Sequence, residues 1–200
     1  MSDDIWTALI GQISPVLTIV ALLGVTWWLR KQVKDLAARA TRLGIAGIVE
    51  ISAEPLRNAP AGAPLTEGDV RIVDLRVQRN RERIARMRLL WVDDLPRNNQ
   101  VERRYLRDVG VEITIATSTE QALSQLERAE PTVVVTDIDR PESTTAGLEL
   151  GQRLAREWPQ LPVIGYVSKI RPQTPPGFFG ITDRPDELVH LLLDVAERQG

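Results

Sequence analysis

The chain of 200 residues contains no cysteine and a single histidine. The first absence excludes a disulfide framework and any thiolate metal site, and leaves cysteine usage silent on compartment. The second excludes a multi-histidine metal centre. The histidine itself, His190, falls in Glu187-Leu188-Val189-His190-Leu191-Leu192-Leu193, a C-terminal amphipathic pattern, and is expected to be a structural or surface residue. An excess of charge is missing too: 25 basic residues face 27 acidic ones, for a net charge of −2 and a pI near 5.6. No nucleic-acid partner is expected from so balanced a chain. There is no internal repeat, no phosphate-cradling glycine loop and no nucleophile elbow. The length suits one ordinary domain plus an appendage.

One further absence is local. From Ile5 to Leu29 no side chain is charged, and as a helix this run would span roughly 37 Å, enough for a bilayer core with some tilt. Residues 1–30 therefore read as an N-terminal transmembrane helix. Trp6 and the pair Trp27-Trp28 lie near its two ends, where aromatic belts form. Gln12 and Pro15 are the features that would suit a buried helix of a soluble protein instead. A cleaved signal peptide fits less well, because Asp3 and Asp4 stand where basic residues are needed. Only acids precede the run, whereas Arg30, Lys31, Lys34, Arg39 and Arg42 follow it, so the positive-inside rule puts the amino terminus outside and the remainder in the cytoplasm.

Residues 31–65 read as a basic juxtamembrane stalk followed by a linker. Val33, Leu36, Ala40 and Leu43 recur at heptad-like spacing, the pattern stops near Gly44, and Asn58-Ala59-Pro60-Ala61-Gly62-Ala63-Pro64 is a spacer by composition. Thr66-Glu67-Gly68-Asp69 resembles a capping box, and a helix is expected over 66–87. Its Val70, Val73, Val77, Asn80, Ile84 and Met87 alternate at steps of three and four, which are the a and d positions of a short coiled coil, with Asn80 setting register. A homodimer through 66–87 follows from that reading. In the other reading the same stripe packs on the chain's own domain. The helix's many arginines suit a solvated face, or contact with anionic lipid if it lies near the membrane.

Beyond Met87 short apolar runs alternate with helical patterns. Arg88–Val92 reads as a buried strand, Val111–Ile115 alternates as a second, Val133-Val134-Val135 is a β-branched third, Pro162–Ser168 a fourth, and a fifth lies near Gly180-Ile181-Thr182. Helical patterns run from about Arg97 to Val109, from Ser118, and from Gly147 to Trp158. Strands alternating with such helices mean βαβ units and a parallel sheet, so residues 88–200 are expected to form one α/β domain. Lys169–Gly177 is short and rich in proline, so a helix between the fourth and fifth strands is expected to be lost or cut to a turn.

Two strands end in acids. Asp93-Asp94 follows the first, and Asp137 and Asp139 follow the third. Asp137 alone could be no more than the cap of a βα turn. In a flavodoxin-like sheet of order 2-1-3-4-5, however, the first and third strands are neighbours at the topological switch point, where ligands bind. Asp93, Asp94 and Asp137 then converge, and a hard divalent cation such as Mg²⁺ relieves their repulsion. An acid left free beside the metal could accept a phosphoryl group.

Asp93-Asp94, Asp137, Pro141 four residues later, and Gly147-Leu148-Glu149-Leu150 opening a helix resemble the receiver domain of bacterial response regulators, from about Arg88 to the C-terminus. The resemblance implies a five-stranded flavodoxin-like fold, Mg²⁺ held by Asp93 and Asp94 with Asp137 as third ligand, and Asp137 as acceptor of a phosphoryl group from a histidine kinase or other signalling protein. Receivers meet their donors in the cytoplasm, which agrees with the orientation of the span and implies a single-pass protein of the bacterial inner membrane. Two family positions differ. Val167 stands where the switch hydroxyl belongs and Ser168 one place later, while Thr182 occupies the place of the family lysine, with Arg184-Pro185 as an imperfect substitute. Lys169 could serve only if its loop folds back. These departures leave a pseudo-receiver, a binding or oligomerisation module without phosphorylation, as the alternative. A TIR-type NAD-cleaving domain, using Glu142, Glu149 or Glu157, is the remaining one.

Overall fold

The computed structural model describes residues 51–60, 62–138, 140, 143, 145–169 and 173–199. The span over 5–29, the stalk, Asp139 and Pro141 lie outside these residues. Among the described residues no helix is long and apolar enough to cross a membrane. Ile51–Gly200 forms one compact unit.

A five-stranded sheet in the order β2-β1-β3-β4-β5 is built from β1 (Arg88–Val92), β2 (Glu112–Ala116), β3 (Val133–Thr136), β4 (Val163–Tyr166) and β5 (Gly180–Thr182). Every pair is parallel. Val92 lies opposite Thr136, Thr136 opposite Gly165, and Tyr166 opposite Thr182. The central strands carry branched apolar residues on both faces because both faces are covered. Val133, Val134 and Val135 are all fully buried, the odd-numbered pair in one core and Val134 in the other.

The helices are α1 (Glu67–Arg79), α2 (Arg81–Ile84), α3 (Gln100–Asp108), α4 (Thr119–Ala129), α5 (Ala146–Glu157) and α6 (Pro185–Gln199). The capping box at Thr66 forms as expected: Thr66 accepts from the Asp69 N–H and Asp69 from the Thr66 N–H. Hydrogen bonds from Thr66 hold the Asp69 carboxyl below its usual range. Between β4 and β5 the described residues 167–169 and 173–179 hold no helix. Phe178 fills the space against Gly151, where a Cβ would meet its ring.

The helix expected over 66–87 is corrected in two respects. It breaks at Asn80, and its stripe faces inward: Val70, Val73, Val77, Ile84 and Met87 belong to the same core as Leu89 and Leu192. A coiled-coil seam needs that stripe exposed, so packing on the chain's own domain is the reading that holds. Asn80 is a corner instead of a register residue. Its side chain donates to the Arg76 carbonyl at 3.2 Å and to Glu197 Oε1 at 2.8 Å, while its carbonyl accepts from Arg83 and Ile84. Arg76 ion-pairs with Asp194 and Glu197 of α6 and donates to the His190 carbonyl. His190 thus lies half-buried against α1, as a structural residue does.

The chain just before the expected spacer is pinned to the domain. Glu54–Asn58 forms a 3-10 turn against α3, with Ala53 and Leu56 buried. Ser52 Oγ and the Ala53 N–H both donate to Asp74 of α1, at 3.1 and 2.6 Å. Burying Leu56 alone contributes about 2 kcal/mol. Gly62 has φ +72°, and a Cβ there would lie 2.5 Å from the Asp183 carbonyl oxygen, so the chain passes close to the β5–α6 loop.

Candidate functional site: an acid pocket at the switch point

A cleft of about 540 Å³ opens beyond the carboxyl ends of β1, β3 and β4. Asp93, Asp94 and Asp137 line it, each offering a carboxylate oxygen within 4.8 Å of the others. The backbone aims them. The Asp93 N–H donates to the Ala116 carbonyl of β2 and the Asp137 N–H to the Val92 carbonyl of β1, so both acids leave the sheet at its last ladder bonds. Asp93 is buried, whereas Asp94 and Asp137 are half-exposed.

Asp93 is held on both oxygens. Its Oδ1 accepts from the Leu95 N–H at 2.8 Å and its Oδ2 from Asn99 Nδ2. Asn99 stands at the N-cap of α3 but makes no side-chain cap; its amide is committed to the acid. Each carboxylate oxygen keeps a second lone pair, so the clustered donors fit a hard divalent cation with oxygen ligands such as Mg²⁺.

Gly147 secures the third acid. A Cβ at this position would overlap the Asp137 carbonyl oxygen and lie 2.6 Å from Ile138 Cα. Its N–H donates to the Ile138 carbonyl at 3.1 Å. The start of α5 thus packs directly on the loop that carries Asp137, and only a residue without a side chain permits it.

The pocket brings together some expected residues and omits others. Ser168 lines it, exposed, next to buried Val167. Thr182 does not. It is 5% exposed at the end of β5, and its hydroxyl accepts from the Arg184 N–H at 3.0 Å, closing its own turn. Thr182 is therefore no substitute for a lysine at the pocket. Lys169 is exposed and not among the lining residues. Arg184 is paired with Asp186 at 2.6 Å and with Asp69 at 3.5 Å. Of the glutamates weighed for NAD cleavage, Glu149 accepts from Thr145 and Glu157 pairs with Arg153. Neither lines the cleft, and Glu142 lies outside the described residues.

Several lining residues were not foreseen: Pro60, Leu95, Asn98, Asn99, Arg140 and Tyr166. Asn99 carried a signal, an amide at the head of a helix six residues after an acid. Tyr166 carried none, because an aromatic in an apolar strand reads as core. Its ring is buried, edge-on to Trp91 at 5.9 Å, and its hydroxyl donates to Glu102 Oε1 of α3 at 2.8 Å. Glu102 is 1% exposed and its Oε2 has no partner. Burial, the largest influence, raises the Glu102 carboxyl above its usual range, and burial followed by the Glu102 charge raises the Tyr166 phenol. Arg103, next along α3, stacks 5.5 Å over Trp91 and donates to the Pro96 carbonyl.

Residues 89–174 match the model of the response regulator receiver domain. Over 91 residues the chain is 38% identical to an uncharacterized 14.6 kDa protein of Leptolyngbya boryana, covering 44% of this chain and 67% of that one. Over 137 residues it is 28% identical to the sensor protein TorS of Escherichia coli, covering 66% of this chain but 14% of that protein. Among solved structures, the response regulator TrrA of Thermotoga maritima, in complex with Mg²⁺-BeF, superposes with a TM-score of 0.50 at 23% identity, covering 55% of this chain and 98% of the other. The signal receiver domain of an HD-domain protein from Pseudomonas fluorescens also gives 0.50, at 20% identity, covering 57% and 89%. These two likenesses speak for the fold. Receiver domains are signalling domains and not classical enzymes, which leaves the NAD-cleaving alternative without support. With a sheet in the order 2-1-3-4-5, three acids at its switch point and a matching family model over 89–174, the chain belongs to the response regulator receiver domain family.

Proposed function

We propose that this protein is a membrane-anchored receiver-like signalling module that holds Mg²⁺ through Asp93, Asp94 and Asp137 and accepts a phosphoryl group on Asp137. The observation that carries the reading is the convergence of three carboxylates within 4.8 Å at the end of β1 and β3. Bound there, the cation supplies charge neutralisation for an incoming phosphoryl group. Asp93, fixed on both oxygens, suits the part of a metal acid. Asp137, half-exposed at the cleft, suits that of nucleophile: its carboxylate oxygen bonds to phosphorus as the phosphorus–nitrogen bond of a phosphohistidine donor breaks, and the departing imidazole takes a proton. The donor is a histidine kinase or another signalling protein, and the signal passes to a separate partner. The uncharged run over 5–29 and the basic residues after it support an anchor in the bacterial inner membrane with the receiver domain in the cytoplasm.

The test is intact mass of the detergent-solubilised chain after incubation with Mg²⁺ and acetyl phosphate, beside Asp137→Asn. A phosphoryl-sized gain is expected in the parent and not in the variant; a gain that survives in Asp137→Asn moves the acceptor elsewhere. A second reading has its own support. Val167 stands where a switch hydroxyl is expected, and the Thr182 hydroxyl is committed to its own turn, so a pseudo-receiver that binds partners without phosphorylation is the outcome if a folded parent gains no mass.

A further inference from the structure

Tyr166 is where the acid pocket meets the rest of the domain. It lines the cleft beside Val167 and Ser168, while its hydroxyl crosses to Glu102 of α3 at 2.8 Å. The same helix begins at Asn99, which holds Asp93. α3 also carries the 3-10 turn Glu54–Asn58, with Leu56, Tyr105 and Leu106 in one core. That amino-terminal strap then returns to the pocket, where Pro60 forms part of the lining. The strap thus touches the site twice, directly through Pro60 and through α3.

The Tyr166–Glu102 pair is only half satisfied. A buried polar pair with every group satisfied is rigid, and one left half-satisfied is not. Glu102 Oε2 is buried without a partner, so the carboxylate is held on one oxygen alone. Filling the pocket with a cation and a phosphoryl group changes the field and the space at the Tyr166 ring. A change there reaches Glu102 through the 2.8 Å hydrogen bond, and with it α3 and the strap packed on it. Within the described residues 167–169 and 173–179 there is no helix and no side-chain hydrogen bond from Val167 that could report occupancy instead.

We infer that Tyr166 and Glu102 are positioning residues that couple the occupancy of the acid pocket to the amino-terminal strap, Ser52–Pro60, so that the signal runs toward the start of the chain. The inference rests on the Mg²⁺ and phosphoryl reading of the pocket. The test is hydrogen exchange of the full chain in detergent, with and without saturating Mg²⁺ and beryllofluoride, a phosphoryl mimic. The parent is expected to change protection at 93–99 and at 52–60. In Tyr166→Phe the change at 52–60, divided by that at 93–99, should fall at least threefold. Glu102→Gln, which keeps an acceptor for the Tyr166 hydroxyl, should retain most of the ratio, and Glu102→Ala should lose it. That pair decides the matter if Tyr166→Phe loses protection across β3 and is not folded. A ratio unchanged in Tyr166→Phe and Glu102→Ala overturns the coupling, as does a parent that responds at 93–99 alone. No response at 93–99 in the parent removes the Mg²⁺ reading, and the coupling with it.

Discussion

The two halves of the sheet's carboxyl edge have been treated differently. At β1 and β3 the acids, the amide that fixes Asp93 and the glycine that admits α5 are all in place. At β4 and β5 Val167 is buried, the Thr182 hydroxyl closes its own turn, and Phe178 packs against Gly151. Retaining the first half requires many contacts to agree at once, because three like charges must be aimed within a few ångströms. The second half carries no such requirement. The clustered acids therefore lie on one side of the edge, and Tyr166 links the end of β4 to α3 through Glu102.

The sharpest way to break the comparison is to damage the intact half at its backbone. Gly147→Val places a branched side chain against the Asp137 carbonyl and Ile138 Cα, which are main-chain atoms that cannot swing aside. A loss of about 3 kcal/mol or more in urea unfolding is expected, the upper range for overpacking, together with at least a tenfold loss of Mg²⁺ affinity as the Asp137 loop shifts. Retained affinity in this variant would mean that Asp137 is not held by α5.

A smaller effect tests the connection between the halves through pH. Burial raises the Glu102 carboxyl in the folded state, so the folded protein binds that proton more tightly than the unfolded chain does. Glu102 therefore favours the folded state most below its unfolded pKa and loses that contribution as pH climbs through the raised value. Glu102→Gln removes the titration. Its stability relative to the parent should rise between pH 4 and pH 7, measured by urea midpoints at each pH. A flat difference would show that Glu102 titrates as an ordinary surface acid and carries no buried charge.

How much of this could be read from residues alone follows the same division. The strands, their order and the three acids were legible because β-branched runs and strand-end acids are local patterns with fixed geometric consequences. The stripe Val70, Val73, Val77, Ile84 showed that the helix had a buried face but not against what: a coiled-coil partner and the chain's own α6 demand the same spacing. Asn80 could not be recognised as a corner, since its role depends on Glu197, 117 residues away. Pro60 sits in a sequence that resembles a spacer, and what pins it, buried Leu56 and the Asp74 hydrogen bonds, is tertiary. Tyr166 was hidden by its setting in an apolar strand.

The smallest expected effect comes from the β4–β5 half. Thr182→Val preserves shape at the end of β5 and removes the acceptor for the Arg184 N–H, at a cost of about 1 kcal/mol for one hydrogen bond at a largely buried turn. If Thr182 served the pocket, Mg²⁺ affinity and the yield of phosphoryl adduct would fall with it. Its hydroxyl is engaged with its own turn and the residue is not part of the cleft lining, so both are expected to stay within twofold of the parent while the urea midpoint drops. Adduct loss without a matching loss of stability would bring β5 back into the site. The contrast between the halves would then have to be redrawn as one of degree.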